Sequence, residues 1–235
     1  DNGHHPSHLS DVDAVLASPG LPGTHPLIVG AKSAGLRVVS EIDLALEHYR
    51  GQVVAVTGTN GKSTTCAMLG HVFSKTGAKV SVGGNYGDPP TAMLAENRAG
   101  DIMILELSSY QLEGSSLVHP KVAIFTSFSH DHIARHGGLK EYLAAKWKIF
   151  EKMEDSDLAL IPHWIVELAK NHGMSLPCPA LRMFSTTKEM REVSKPGFTL
   201  ERQNLVLWNG EQVSLEGASL QESHNLQNAA FSILG

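Results

Sequence analysis

The chain has 235 residues, 42% of them apolar and 18% charged, with a formal net charge of -5. That length holds one large domain, or one domain and part of another, and the composition is ordinary for a soluble globular protein. The negative balance gives no sign of nucleic-acid binding, no apolar run approaches the ~20 residues of a membrane-spanning helix, and the two cysteines, Cys66 and Cys178, imply no disulfide framework.

In chain order the pattern is strand, loop, helix, repeated. Residues 13–17 read as a strand, followed by the turn Ser18-Pro19-Gly20. A helix is expected over 25–34, a strand over 36–40 and a helix over 41–49. Residues 52–57 form a β-branched run between Gly51 and Gly58, which suits a strand buried on both faces of a parallel sheet. A helix follows over 62–75 and contains Cys66, expected in the core. Strands are expected over 79–82, 102–107, 121–126 and 158–161, with helices over 139–150 and 164–172. Strands alternating with helices argue for a parallel sheet built by crossovers.

Near the end the rhythm changes. Residues 198–200, 205–208 and 212–215 read as short strands, with Asn209-Gly210 as a hairpin signal. A helix starts at His224. The expected fold class is α/β: a mostly parallel phosphate-loop sheet flanked by helices, with a small antiparallel sheet, plus part of an N-terminal α/β domain. The boundary is placed near Arg50-Gly51, giving an N-terminal part over 1–50 and a central domain over 51–235. Among the 13 histidines, His4, His5 and His8 suit a solvated loop better than a metal site.

The stretch Thr57-Gly58-Thr59-Asn60-Gly61-Lys62-Ser63-Thr64 follows a buried strand and opens a helix. Glycines let backbone N–H groups curl toward a phosphate, and the helix N-terminus adds partial positive charge. Lys62 is placed to reach the terminal phosphates of a nucleotide, and the Ser63 hydroxyl to hold Mg²⁺. Val56 stands where the general pattern would carry another glycine. Glu106 ends an otherwise apolar strand, where a carboxylate is costly without a partner. A metal ion explains it, and so would a buried ion pair. Lys146 and Lys148 share a polar helix face. Asn225 and Asn228 lie three apart on one helix, suited to an adenine edge, although Asn225 also fits as a helix cap.

This loop, without the first glycine, resembles that of the muramyl ligases and the related folylpolyglutamate synthases. Further blocks agree in order. Glu106-Leu107-Ser108-Ser109-Tyr110-Gln111-Leu112-Glu113 resembles the block that marks the D-glutamate-adding branch of the muramyl ligases. Gly83-Gly84-Asn85-Tyr86-Gly87 resembles the substrate loop, Asp131-His132 with Ala144-Ala145-Lys146 the paired central motif, and His224 to Ala230 the adenine motif. Ser18-Pro19-Gly20 resembles the turn that helps to hold the uridine nucleotide. Two positions depart from the family: Ser127 stands for its usual asparagine, and Glu222 for its usual glycine.

The resemblance implies an ATP- and Mg²⁺-dependent ligase that adds D-glutamate to UDP-N-acetylmuramoyl-L-alanine through an acyl phosphate. The enzyme would be a cytoplasmic monomer with no nucleic-acid or membrane partner. Lys62, Glu106, His132 and Lys146 would be catalytic, and Gly58 to Thr64 with Asn225 and Asn228 would bind ATP. Ser18, Gly20, Asn85, Ser108 and Gln111 would bind substrate. Ser63, Glu106, His132 and Lys146 would hold the metal, Lys146 as a carbamate formed with CO₂. His130 and His136 rival His132 for the metal role. The family's first strand and its C-terminal amino-acid domain have no counterpart here, so these residues alone are expected to bind ATP weakly and not to ligate. The alternatives are a folylpolyglutamate synthase-like ligase and a phosphate-loop ATP-binding module without ligase chemistry.

Overall fold

The computed structural model describes residues 5–96, 100–129, 136–175, 181–185, 197–201, 204–207, 211–214 and 223–234. A small unit comes first: β1 (Ala14–Ala17), α1 (Pro26–Ser33), β2 (Arg37–Ser40) and α2 (Glu41–His48), with β1 and β2 parallel. The main sheet begins with β3 (Gln52–Thr57), α3 (Lys62–Ser74), β4 (Val80–Gly84), α4 (Pro90–Ala95) and β5 (Ile102–Glu106). It continues through α5 (Ser109–Gly114), β6 (Val122–Phe125), α6 (Leu139–Trp147), β7 (Leu158–Pro162), α7 (His163–Asn171) and β8 (Leu181–Ser185). The last elements are β9 (Gly197–Glu201), β10 (Asn204–Leu207), β11 (Gln212–Ser214) and α8 (Ser223–Leu234).

The larger sheet has nine strands in the order β11-β10-β9-β8-β7-β6-β3-β5-β4. Strands from β4 across to β9 are parallel, and β9, β10 and β11 pair antiparallel. The antiparallel strands are thus the far edge of the one sheet. The β-branched run at 52–57 is β3 itself, paired on both sides by β5 and β6. Alternate side chains feed two apolar layers. Val53 and Ala55 join the layer that includes Leu105, Phe125, Tyr142 and Ile165, on the side of α2, α5, α6 and α7. Val54 and Val56 join Cys66, Leu69, Ala230 and Phe231, on the side of α3 and α8.

Among the described residues, two α-helices and one strand have no periodic signature in the sequence. Helices α4 and α5 have six residues each, less than two turns, too short for a 3.6-residue period to declare itself. Strand β8 takes its place from pairing with β7 and β9. Asn209-Gly210 and Cys178 lie outside the described residues. Among the described residues no helix is long and apolar enough to cross a membrane.

The N-terminal unit is tied to the sheet through α2. Asp43 accepts from the Ser116 and Leu117 N–H groups at 2.8 and 3.0 Å, and from the Ser116 hydroxyl. Glu41 accepts from the N–H and hydroxyl of Thr91 at 2.7 and 2.6 Å. Tyr49 donates its hydroxyl to Gly100 O at 2.8 Å.

At the opposite end of the sheet from the phosphate loop, Asp157 is fully buried and takes bonds from His119, Lys121 and the Glu154 N–H, each at 2.8 Å. Burial alone would raise the Asp157 carboxyl, but the bonds from Glu154, Lys121 and His119 outweigh it and hold the group below the usual carboxylate range. A depressed folded-state pKa contributes stability above the unfolded value of ~3.9, lost as pH falls through the folded value. Asp157→Asn is therefore expected to lower the unfolding free energy at pH 7 by about 2 kcal/mol, with the gap to wild type closing below about pH 4. Urea unfolding at pH 7 and pH 3 checks this, and an equal gap at both would remove the charge from the account.

Candidate functional site

Strand β3 delivers the chain to the C-terminal edge of the sheet between β5 and β6. Helix α3 leaves β3 for one face and α6 covers the other, so the gap between the ends of β3 and β6 is a crevice of the kind that binds ligands in such sheets. The phosphate loop fills its floor. Gly58 has φ +146°, and a Cβ there would stand 2.1 Å from Thr126 Oγ1. Gly61 has φ +85°, and its Cβ would stand 2.6 Å from Asn228 Oδ1. Only glycine meets both demands at each position.

The loop's outward carbonyls have no strand to pair with, so side chains from neighbouring elements take them. Thr126 and Ser127 donate to Asn60 O at 2.6 and 2.9 Å, while Ser127 Oγ accepts from the Asn60 N–H at 2.8 Å. Ser127 O accepts from the Thr59 N–H at 2.8 Å. Lys146, 2% exposed, donates to Gly58 O at 2.8 Å, and its ammonium lies 4.9 Å from the centre of the Tyr142 ring. Lys62 folds back to donate to Thr59 O at 2.9 Å. Gly61 caps α3 with no side-chain bond, which leaves first-turn N–H groups to an anion.

Glu106 closes the site from β5. It is 3% exposed and accepts from Ser63 Oγ at 2.6 Å on one oxygen and from Asn85 Nδ2 at 3.0 Å on the other. Three expected site residues from three elements therefore meet at one carboxylate. Both partners are neutral. Hydroxyl and carboxylate oxygens are the donors Mg²⁺ prefers. Ser63 and Glu106 thus fit such an ion. Among the described residues no group of three or more His, Cys, Asp and Glu side chains could hold a metal, and His132 with Asp131 lies outside them. Cys66, beneath the loop, is no nucleophile: burial and then the Glu106 charge push its thiol up.

Other expected residues fall less simply. Ser108 and Gln111 face each other in a capping box at the start of α5, with Ser108 Oγ accepting from the Gln111 N–H at 3.3 Å and Gln111 Oε1 accepting from the Ser108 N–H at 3.0 Å. The Ser-x-x-Gln spacing carries that signature. Asn228 is buried against Gly61, and its Nδ2 has no partner; Thr65 Oγ1 is likewise an orphan. Asn225 is half-buried on the same helix, and Thr64 is exposed at the start of α3. Ser18 and Gly20 sit in a turn closed by the Leu21 N–H and Ser18 O at the end of β1, in the smaller sheet. Of the two rivals to His132, His130 lies outside the described residues and His136 bonds Ser109 at 3.0 Å. Glu222 also lies outside them.

Thr126, Tyr142 and Gln227 also belong to the site, and Gln227 Nε2 donates to Thr126 O at 3.0 Å. Nothing in their spacing marks them. They become visible once β6 is known to lie beside β3.

Residues 56–234 match the Mur ligase middle domain. The proteins named UDP-N-acetylmuramoylalanine--D-glutamate ligase from Pelobacter propionicus and Trichlorobacter lovleyi are 36% and 37% identical over 226 and 229 residues. These alignments cover 94% and 96% of this chain but 48% and 50% of the relatives, so the chain spans about half the length of the curated relatives it matches. Among solved structures, the UDP-N-acetylmuramate:L-alanyl-gamma-D-glutamyl-meso-diaminopimelate ligase from Neisseria meningitides is similar with a TM-score of 0.64 at 16% identity, over 97% of this chain and 75% of that one. The MurF ligase from Thermotoga maritima in complex with ADP gives 0.60 at 17% identity, over 94% and 58%. At these identities the likeness is one of fold.

Gly58→Ala forces a Cβ into Thr126 and the loop out of its bonded path. It is expected to weaken nucleoside triphosphate binding at least about tenfold, as losing roughly 1.4 kcal/mol would. Calorimetric titration measures this, and unchanged affinity would show that the glycine is not required for the loop's function.

Proposed function

The chain belongs to the Mur ligase family, and on that premise we propose that it is the ATP-binding core of an enzyme that adds D-glutamate to UDP-N-acetylmuramoyl-L-alanine, in peptidoglycan precursor synthesis. The observation that carries this is the buried Glu106 carboxylate, which joins the phosphate-loop Ser63 to Asn85 of the expected substrate loop. Relatives that share 36% and 37% identity are named for the same ligation. The division into an N-terminal part over 1–50 and a central domain over 51–235 is part of the proposal, as is a cytoplasmic monomer.

The reaction has two steps. A carboxylate oxygen of the UDP-linked substrate attacks the γ-phosphorus of ATP, and the bond to the β-phosphate oxygen breaks, giving an acyl phosphate and ADP. The amine of D-glutamate then attacks the acyl carbon, loses a proton and expels inorganic phosphate, leaving an amide. Proteins catalyse phosphoryl transfer mainly by positioning and charge stabilisation, and each residue here has such a task. The free N–H groups at the start of α3, from Gly61 onward, cradle the phosphates. Lys62 leaves Thr59 O to meet the γ-phosphate. Ser63 and Glu106 would hold Mg²⁺, which would supply positive charge to offset that of the nucleotide phosphates. The orphan Asn228 Nδ2 gives the nucleotide end a donor, and Asn225 would join it at the adenine. Asn85, Ser108 and Gln111 would address the sugar-peptide, and Ser18 and Gly20 the uridine nucleotide. His132 retains its proposed metal role from the motif alone.

Lys146 is the residue with two chemistries. As an ammonium it bonds Gly58 O. Addition of CO₂ to the free amine, with loss of one proton, would make a carbamate, an anion able to share the metal with Glu106. Lys148 has no such position: it is directed to Glu113 O at 2.9 Å on an exposed path.

The whole protein, given MgATP, should release ADP only when both UDP-N-acetylmuramoyl-L-alanine and D-glutamate are present. Turnover with a folate and L-glutamate instead would move the enzyme to the folylpolyglutamate branch, and ATP binding with no ligation of either pair would reduce it to a binding module. Lys62→Ala is expected to lower kcat by about 10²–10³. Lys146→Ala should cost a comparable factor and recover in part with acetate, which replaces the lost anion, whereas Lys148→Ala should stay within about twofold. Equal losses at Lys146 and Lys148 would take Lys146 off the catalytic list.

A further inference from the structure

His136 has no task in that chemistry, yet its side chain is only 4% exposed. Its Nε2 shares a 3.0 Å hydrogen bond with the hydroxyl of Ser109, the first residue of α5. The ring stacks on Tyr110, centroids 5.0 Å apart and planes within 10°, and meets Tyr142 at 5.1 Å. Tyr142 stacks in turn on Phe128 at 5.1 Å. The four rings form a ladder from the first turn of α5 to the end of β6.

Each end of the ladder touches a different part of the site. At one end, Ser109 and Tyr110 lie between Ser108 and Gln111, the two α5 residues proposed to face the sugar-peptide. At the other, the Tyr142 hydroxyl is 3.4 Å from Thr59 Oγ1, its ring carries Lys146 above Gly58 O, and Phe128 follows the Ser127 that holds Asn60. A phosphate that takes Lys62 from Thr59 O releases a carbonyl of the same residue whose side chain meets Tyr142. Tightly packed rings pass such a shift on, because a close-packed interior has no slack to absorb it.

We propose that His136 is a positioning residue that couples nucleotide occupancy of the phosphate loop to the placement of the first turn of α5. The proposal rests on the reading of that loop as an ATP site and gives the two substrates a physical link: a bound nucleotide would set Ser108 and Gln111 for the second ligand.

Hydrogen exchange on the whole protein, with and without MgATP, tests it. The useful amides are those of Gln111 and Leu112, which bond Ser108 Oγ and Ser108 O. In the wild type, nucleotide should slow their exchange by at least about fivefold, the lower range of an ordinary coupling. His136→Phe keeps a ring in the stack and removes the bond to Ser109. There the slowing should fall below about twofold at 111–112 while the nucleotide-induced slowing in α3 persists. Ser109→Ala removes the same bond from its other side, should give the same loss, and serves if His136→Phe does not fold. A role in packing alone would leave the nucleotide-dependent difference intact in both variants, and that result overturns the proposal. So does a wild type whose 111–112 amides ignore nucleotide. The measurement requires ATP binding but no product. A protein that ligated nothing would remove the ligase reading and leave this coupling to be decided by its own data.

Discussion

The site depends on β3 being buried on both faces. Val53 and Ala55 anchor it in one apolar layer and Val54 and Val56 in the other. Each buried valine side chain contributes about 1.5–3 kcal/mol relative to exposure, and a slip of one residue would exchange the two layers. The register against β5 and β6 is therefore fixed, and with it the point at which the chain leaves the sheet. Beyond Thr57 the carbonyls of Gly58, Thr59 and Asn60 emerge where no ladder continues. A buried carbonyl without a partner costs about 1–3 kcal/mol, which Lys146 removes at Gly58, while Lys62, Thr126 and Ser127 bond the more open carbonyls of Thr59 and Asn60.

The buried acids divide by the partners they keep. Asp43 takes two backbone N–H groups and a hydroxyl, and joins α2 to the segment after α5. Asp157 takes a lysine, a histidine and a backbone N–H, and joins the near ends of β6 and β7. Both are satisfied by fixed donors and hold structure together. Among the described residues, the Glu106 carboxylate is met by the side chains of Ser63, at the start of α3, and Asn85, in the loop after β4, both neutral. Its burial makes sense if a cation completes it, since an unpaired buried charge is costly. The same contrast separates two neighbouring lysines: Lys146 in α6 is buried beneath the phosphate loop, and Lys148, just past its end, reaches along the surface to Glu113.

Ser127 shows how a departure from a family pattern is absorbed. The short side chain stands where asparagine is usual, yet its hydroxyl both donates to Asn60 O and accepts from the Asn60 N–H. One oxygen thereby serves the two polar groups of a single loop residue, as a hydroxyl can and an amide nitrogen or oxygen alone cannot.

By itself the sequence determined the alternation of elements, β3 to the residue, and the phosphate loop, because each is a local statement: β-branched residues between glycines, then glycines, lysine and hydroxyls at a helix start. It also marked Glu106 as anomalous, a charge at the end of an apolar strand. It did not determine α4, α5 or β8, which are too short or too dependent on partners to show a period. Nor did it reveal that Ser108 and Gln111 bond each other, or that Thr126, Ser127, Tyr142 and Gln227 assemble around the loop. Those are decisions of the tertiary structure. Residue 126 meets residue 60, and residue 146 meets residue 58, only because β6 lies beside β3 and α6 covers that edge. Chain order places β6 third after β3, and the strand order that makes them neighbours is set by how the two apolar layers close over the sheet.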